Sequence, residues 1–133
     1  DEDFWGYCED VDLAFRAQLQ GYRCLFVPDA IVYHKLSATG GGPIASYYCG
    51  RNVVNVIVKD MPSSLLRRHW PRIVLAQLGF TLHSLWHARE SAARARLRGQ
   101  AAALGQLRLM LRKRREIQAR KRVSDDYIAS IMG

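Results

Sequence analysis

Apolar residues recur at helical spacing over much of the chain, and the intervals where that spacing lapses mark its joints. From Glu9 to Gln20, Leu13 and Ala17 lie four apart, acids fill the first turn and Gly21 follows as a stop, which predicts a short helix. The next stretch, Tyr22-Arg23-Cys24-Leu25-Phe26-Val27, is rich in strand formers and closes on Pro28-Asp29; the run Ala30-Ile31-Val32-Tyr33 then delivers His34 at its end. Two short strands are expected there. Successive glycines within Ser37-Ala38-Thr39-Gly40-Gly41-Gly42-Pro43 predict a loop. Beyond it, apolar Tyr47, Val54, Ile57 and Val58 among polar Arg51, Asn52, Asn55 and Lys59 predict a helix that Pro62 ends.

After Pro62 the pattern changes. The stretch from Ile73 to Trp86 is helical and strongly apolar, with Trp70 and Arg72 just before it. It is shorter than the roughly 20 residues a membrane span needs and contains Gln77 and His83, so a buried helix or one lying in a membrane interface is expected. From Gln100 to Arg122, Leu104, Leu107 and Leu111 stand three or four apart, opposed by Arg108, Arg112, Lys113, Arg114, Arg115, Arg120, Lys121 and Arg122. That is the pattern of a basic amphipathic helix. Ser124 followed by Asp125 and Asp126 reads as an N-cap and first turn of a last helix through Ile131. The chain thus divides into an α/β part, residues 1–62, and a helical extension, residues 63–133.

With 133 residues, 49% of them hydrophobic, the chain can form one modest core and resembles neither a disordered nor a fibrous protein. A net charge of +8 implies an anionic partner: a membrane surface, a nucleic acid or a phosphorylated substrate. Acids crowd the first stretch (Asp1, Glu2, Asp3, Glu9, Asp10, Asp12), whereas Arg and Lys dominate after Met61. Cys8, Cys24 and Cys49 lie far apart, without Cys-x-x-Cys pairing or zinc-finger histidines, so three mostly buried, reduced thiols of a cytosolic protein are expected. The opening Asp1-Glu2-Asp3-Phe4-Trp5 lacks an initiator Met and a secretory pattern, and is expected to be a cut end.

Chemistry concentrates in Glu9-Asp10-Val11-Asp12, where three carboxylates within four residues repel one another unless something positive compensates. On a helix Arg16 shares a face with Asp12 and Glu9, which leaves Asp10 pointing elsewhere. Two readings stand: a general base for a sugar hydroxyl, or a helix N-terminus furnished with acids by its dipole.

The ordered pieces Tyr7-Cys8-Glu9-Asp10-Val11-Asp12-Leu13-Ala14-Phe15-Arg16, Gly21-Tyr22-Arg23, Val27-Pro28-Asp29-Ala30 and Val32-Tyr33-His34 resemble the second half of family 2 glycosyltransferase domains, over the stretch ending near Pro62. The resemblance implies a GT-A-type α/β fold. It also implies transfer of a hexosyl or deoxyhexosyl group, with inversion, from a nucleotide-sugar donor to a saccharide or lipid-linked saccharide acceptor. By the same resemblance Asp10 is the base, Glu9 orients the acceptor, Asp12 and Arg16 form a structural pair, and His34 helps to hold a divalent metal, Mn²⁺ or Mg²⁺. Arg51 and Asn52, beside Tyr48, match a family position as a phosphate or acceptor contact or a helix brace. Family members bind the donor with an upstream βαβ half and an Asp-x-Asp motif; Asp1-Glu2-Asp3 has the letters without the context, so the chain alone is expected to be inactive.

Leu97-Arg98-Gly99-Gln100 and Leu111-Arg112-Lys113-Arg114-Arg115 resemble C-terminal extensions of bacterial family members. Arg108, Arg112, Lys113, Arg114 and Arg115 are expected to face an anionic membrane, keeping the protein at the cytoplasmic face of the cell membrane. The alternatives are a solvated helical pair packed back on the domain, a scaffold for a protein partner, and a nucleic-acid-binding module without catalysis. Against nucleic acid, aromatics do not interleave with the basic cluster and no helix-turn-helix, zinc-finger or RNA-recognition signature is present.

Overall fold

Acids at Glu9, Asp10 and Asp12 open helix α1, Glu9–Leu19, and the chain turns away at Gly21 with φ of 87°. In the computed structural model, which describes residues 1–33 and 41–132, a short 3₁₀ turn at Glu2–Phe4 precedes it. Helix α2, Pro43–Asp60, begins on a proline, whose fixed φ suits a first helical position where no N–H is needed. Pro62 separates it from α3, Ser63–Trp86, and then follow α4, Ser91–Gly105, α5, Leu107–Ala119, and α6, Asp125–Met132. Ser124 caps α6, its Oγ accepting the Tyr127 N–H at 3.1 Å.

The α/β expectation, and with it the second half of a GT-A domain, is wrong: the described residues are all-helical and contain no β-strand. Tyr22–Val27 and Ile31–Tyr33 take no regular structure, and Phe26 and Tyr33 are 89% and 94% exposed. The physical reason is non-local. A strand's N–H and C=O groups need a neighbour about 4.8 Å away, and strand-forming side chains do not supply one. Helices close their backbone hydrogen bonds within the segment, so they form where the two runs cannot.

Two helices also differ from expectation. The apolar helix begins at Ser63, ten residues before the apolar run, and takes Pro71 into its interior. The basic helix is two helices, broken at Gln106, whose N–H bonds back to Ala102 and Ala103. Gly105 ends the first of them.

Helix α2 is the hub, crossing α4 closely and touching α5 and α1. The crossing needs small residues: a Cβ on Gly99 would lie 2.1 Å from the Tyr47 carbonyl oxygen, and one on Gly50 2.7 Å from that of Arg96. Ala95, Gly99 and Ala103, four apart on α4, form the matching buried stripe. A separate apolar core joins Leu19, Met61, Leu65 and Ile128, with Phe15, Ile73, Ile117 and Tyr127 against it. There α6 is tied to α1, since Tyr127 Oη donates to Gln18 Oε1 at 2.6 Å and the Arg122 N–H to the Leu19 carbonyl at 2.8 Å. The expected burial of all three thiols also needs correction, because Cys24 is exposed on the unpaired stretch while Cys8 and Cys49 are half-buried.

Candidate functional site

The buried stripe of α2 is mostly polar: Asn52, Asn55, Lys59 and Asp60, with Val56 among them. Its first member grips the N-terminal turn. Asn52 Nδ2 lies 3.1, 2.9 and 2.7 Å from the carbonyl oxygens of Phe4, Gly6 and Tyr7. Arg51 Nη2 donates to the Asp3 carbonyl at 2.6 Å, while its Nε donates to Asn52 Oδ1 at 2.9 Å and fixes that amide's orientation. Such bracing offsets real strain, since Trp5, Tyr7 and Cys8 all have φ between 57° and 64°. The left-handed conformation costs a non-glycine residue about 1–2 kcal/mol. Strain of this kind persists only where the surroundings over-determine it.

What the turn displays is an aromatic shelf. Trp5 stacks on Tyr48 with ring centroids 4.8 Å apart and planes at 23°, Tyr7 lies nearly parallel to Tyr48 at 6.5 Å, and the Arg51 guanidinium sits 4.9 Å over the Tyr48 ring. Trp5 is nonetheless 64% exposed, so one face of the shelf is open to solvent.

The acid triplet separates into two environments. Asp12 is buried: Arg16 donates to its Oδ2 through Nε at 3.0 Å and Nη2 at 2.8 Å, and Lys59 pairs with its other oxygen. Lys59 is fully buried too, donating to Asp1 at 2.6 Å and lying 4.3 Å over the Phe4 ring. Burial pushes the Asp12 carboxyl up, but hydrogen bonds from Arg16 and Lys59 outweigh it and hold Asp12 below the ordinary range. Asp60 behaves oppositely. Burial raises it to about 8; Lys59 pulls it down, while the charge of Asp12 adds to the rise. Both of its oxygens are buried without a hydrogen-bond partner, which works in the same direction by leaving a charge there unsolvated.

Glu9 and Asp10 are exposed at the start of α1, where Asp10 Oδ1 accepts the Val11 N–H at 2.8 Å. They adjoin the shelf through Cys8, whose free thiol faces the free thiol of Cys49, the residue after Tyr48. Burial pushes that thiol up to about 11, with Cys49, Asp10 and Glu9 adding to the rise. His34 lies outside the described residues. Among the described residues no three or more His, Cys, Asp or Glu side chains gather as a metal-ligand set.

The basic residues of α5 do not share one face. Arg108, Arg112 and Arg115 are exposed, but Lys113 holds Asp1 and Asp3 at 2.5 Å each. The Lys113 hydrogen bond, more than any other influence, lowers the Asp3 carboxyl. Arg114 turns inward to the Val58 carbonyl and Ser63 Oγ, each at 2.8 Å. Sequence reasoning missed Trp5, Lys59 and Asp60. The signal for the last two was the spacing of polar Asn52, Asn55, Lys59 and Asp60 along one helical face.

No family model matches the chain, and comparison with curated proteins and with solved structures finds no similar one. The resemblance to family 2 glycosyltransferases is therefore not upheld: no family model supports it, and the strands it requires between Tyr22 and Tyr33 do not form.

Proposed function

We propose that the shelf and the exposed carboxylates receive the acceptor sugar in a glycosyl transfer from a nucleotide-sugar donor. The supporting observation is the strained turn Trp5–Cys8, clamped by Arg51 and Asn52, which holds an open aromatic face directly before Glu9 and Asp10. A flat indole on a tyrosine suits the C–H face of a saccharide ring, while adjacent carboxylates suit its hydroxyls. The geometry and the carboxylate pattern support the acceptor side alone; the nucleotide-sugar donor and the inversion are carried over from the sequence resemblance.

In this scheme Glu9 orients the acceptor and Asp10 takes the proton of its hydroxyl as that oxygen attacks the anomeric carbon. The new C–O bond forms as the bond to the nucleoside diphosphate breaks, with inversion, and the proton passes from Asp10 to solvent. Asp12 is already committed to Arg16 and Lys59 and serves as the site's foundation.

No residue of the chain is assigned to donor binding, so the transfer assay uses the whole natural protein that carries this sequence. Asp10→Asn is expected to lower transfer by about 10²–10⁴-fold, the usual contribution of a general base, with saccharide binding retained. Trp5→Ala is expected to weaken saccharide binding, followed by titration with acceptor oligosaccharides. Full transfer by the Asp10 variant removes the proposed base. A chain that binds no saccharide, with indifference to Trp5→Ala, leaves a basic module without catalysis as the better account.

A further inference from the structure

Helix α3 presents a second surface that the candidate site does not use. Val74, Leu78, Leu82 and Leu85 follow one another at intervals of four, four and three residues, and Leu75 and Trp86 border them, so one side of the helix is apolar over more than three turns. All six are exposed, Leu75 to 68%, Leu82 to 65% and Trp86 to 88%. The opposite side makes the packing contacts, through Leu65, Leu66, Ile73 and Ser84. A contiguous apolar strip of this length marks an interaction surface.

Its surroundings identify the occupant. Helix α3 contains no Asp or Glu; Arg67, within the field of Asp125 on α6, and Arg68 and Arg72 are exposed at its N-terminal end. At its C-terminal end Arg89 is followed by an exposed Glu90, so the positive charge gathers at the N-terminal end. Trp70 and Trp86 stand at the two ends of the strip, sixteen residues or about 24 Å apart along the helix axis. Indoles settle at the boundary between headgroups and acyl chains, and arginines reach from there to lipid phosphates. A second copy docked through the same strip would bring no carboxylate from α3 to meet these arginines. Duplex phosphates would meet them but leave the leucines uncovered. Among the described residues no helix is long and apolar enough to cross a membrane, so the helix would lie in the plane of the surface.

We propose that α3 docks the protein on an anionic lipid surface, its leucines among the upper acyl chains and Arg67, Arg68 and Arg72 on headgroup phosphates. The inference is independent of the sugar-transfer reading, since none of these residues belongs to that site. The full chain is mixed with vesicles of phosphatidylcholine, with or without phosphatidylglycerol, and separated by flotation. Binding is expected only with phosphatidylglycerol and to weaken as salt rises. Leu78→Glu with Leu82→Glu is expected to abolish it while the circular dichroism spectrum stays helical. Arg67→Gln, Arg68→Gln and Arg72→Gln together are expected to weaken it on the order of a hundredfold, from about 1 kcal/mol per basic residue at an anionic surface. Brominated lipid is expected to quench the native fluorescence, and less so in Trp70→Phe with Trp86→Phe, a readout that does not depend on the glutamate variant folding. The proposal is overturned if the native chain ignores anionic vesicles, or if quenching persists unchanged without the two tryptophans. Tighter binding to duplex DNA than to vesicles, or a dimer dissociated by the glutamate pair while vesicle binding continues, overturns it as well.

Discussion

At the scale of single residues, the most consequential group is the buried pair Asp12 and Asp60, whose carboxyls move in opposite directions. Asp60, ordinarily near 3.8, is raised to about 8 in the folded chain. Between those values the folded state keeps a proton that the unfolded state has released, so this contribution is complete below about 3.8 and is lost as pH rises toward about 8. Asp12, lowered instead, contributes above its ordinary value and loses that contribution as acid protonates it. Urea unfolding across this window is therefore expected to show the Asp60→Asn variant losing less stability than the native chain as pH rises; parallel curves would mean that Asp60 titrates normally. Lys59→Met tests the same cluster from the cationic side. It strips Asp12 and Asp1 of a fully buried partner, and breaking a buried pair in this way costs about 3–5 kcal/mol, measurable as a lower denaturation midpoint. Cysteine reactivity gives a further check. Cys24 is exposed, whereas the Cys8 thiol is raised to about 11 and half-buried, so iodoacetamide at neutral pH followed by peptide mass spectrometry should modify Cys24 first.

At the scale of elements, glycine carried two messages that composition could not separate. Gly105 ends α4, a signal visible in the sequence but overridden there by the leucine spacing that continued beyond it. Gly99 lies inside α4 and permits the close crossing with α2, a tertiary role that no local pattern declares. Gly99→Ala would place a methyl group 2.1 Å from a backbone oxygen that cannot swing aside. Forced overpacking of this kind costs about 1–3 kcal/mol, so thermal unfolding should show a clear loss, whereas Gly79→Ala, with open space around it, should be neutral or stabilising. Elements defined by their own backbone were legible: acids announced the starts of α1 and α6, and prolines bracketed α2. The strands expected between Tyr22 and Tyr33 were not, because propensity describes a strand's side chains while its existence depends on a partner elsewhere.

At the scale of the whole molecule, the candidate site was half legible. The carboxylate cluster stood out by its repulsion, and Arg51 and Asn52 as polar residues of α2, but the clamp they form joins positions nearly fifty residues apart, and no spacing rule reaches that far. The same long-range logic governs the C-terminal helices, whose arginines and lysines seemed from sequence to serve a single outer face. Lys113 instead holds Asp1 and Asp3, Arg114 and Gln118 bind the end of α2, and α6 seals Leu19 with Ile128. A chain ending at Gly105 would retain the α2–α4 crossing but leave Leu19 and Phe15 without Ile117, Tyr127 and Ile128. Helix α1 is short, and its tertiary contacts rather than its propensity hold it in place. Hydrogen exchange should therefore find α1 amides markedly less protected in that truncated chain while the middle of α2 changes less. Equal loss of protection throughout would show instead that the helices fold as one cooperative unit and that α1 has no separate dependence on α5 and α6.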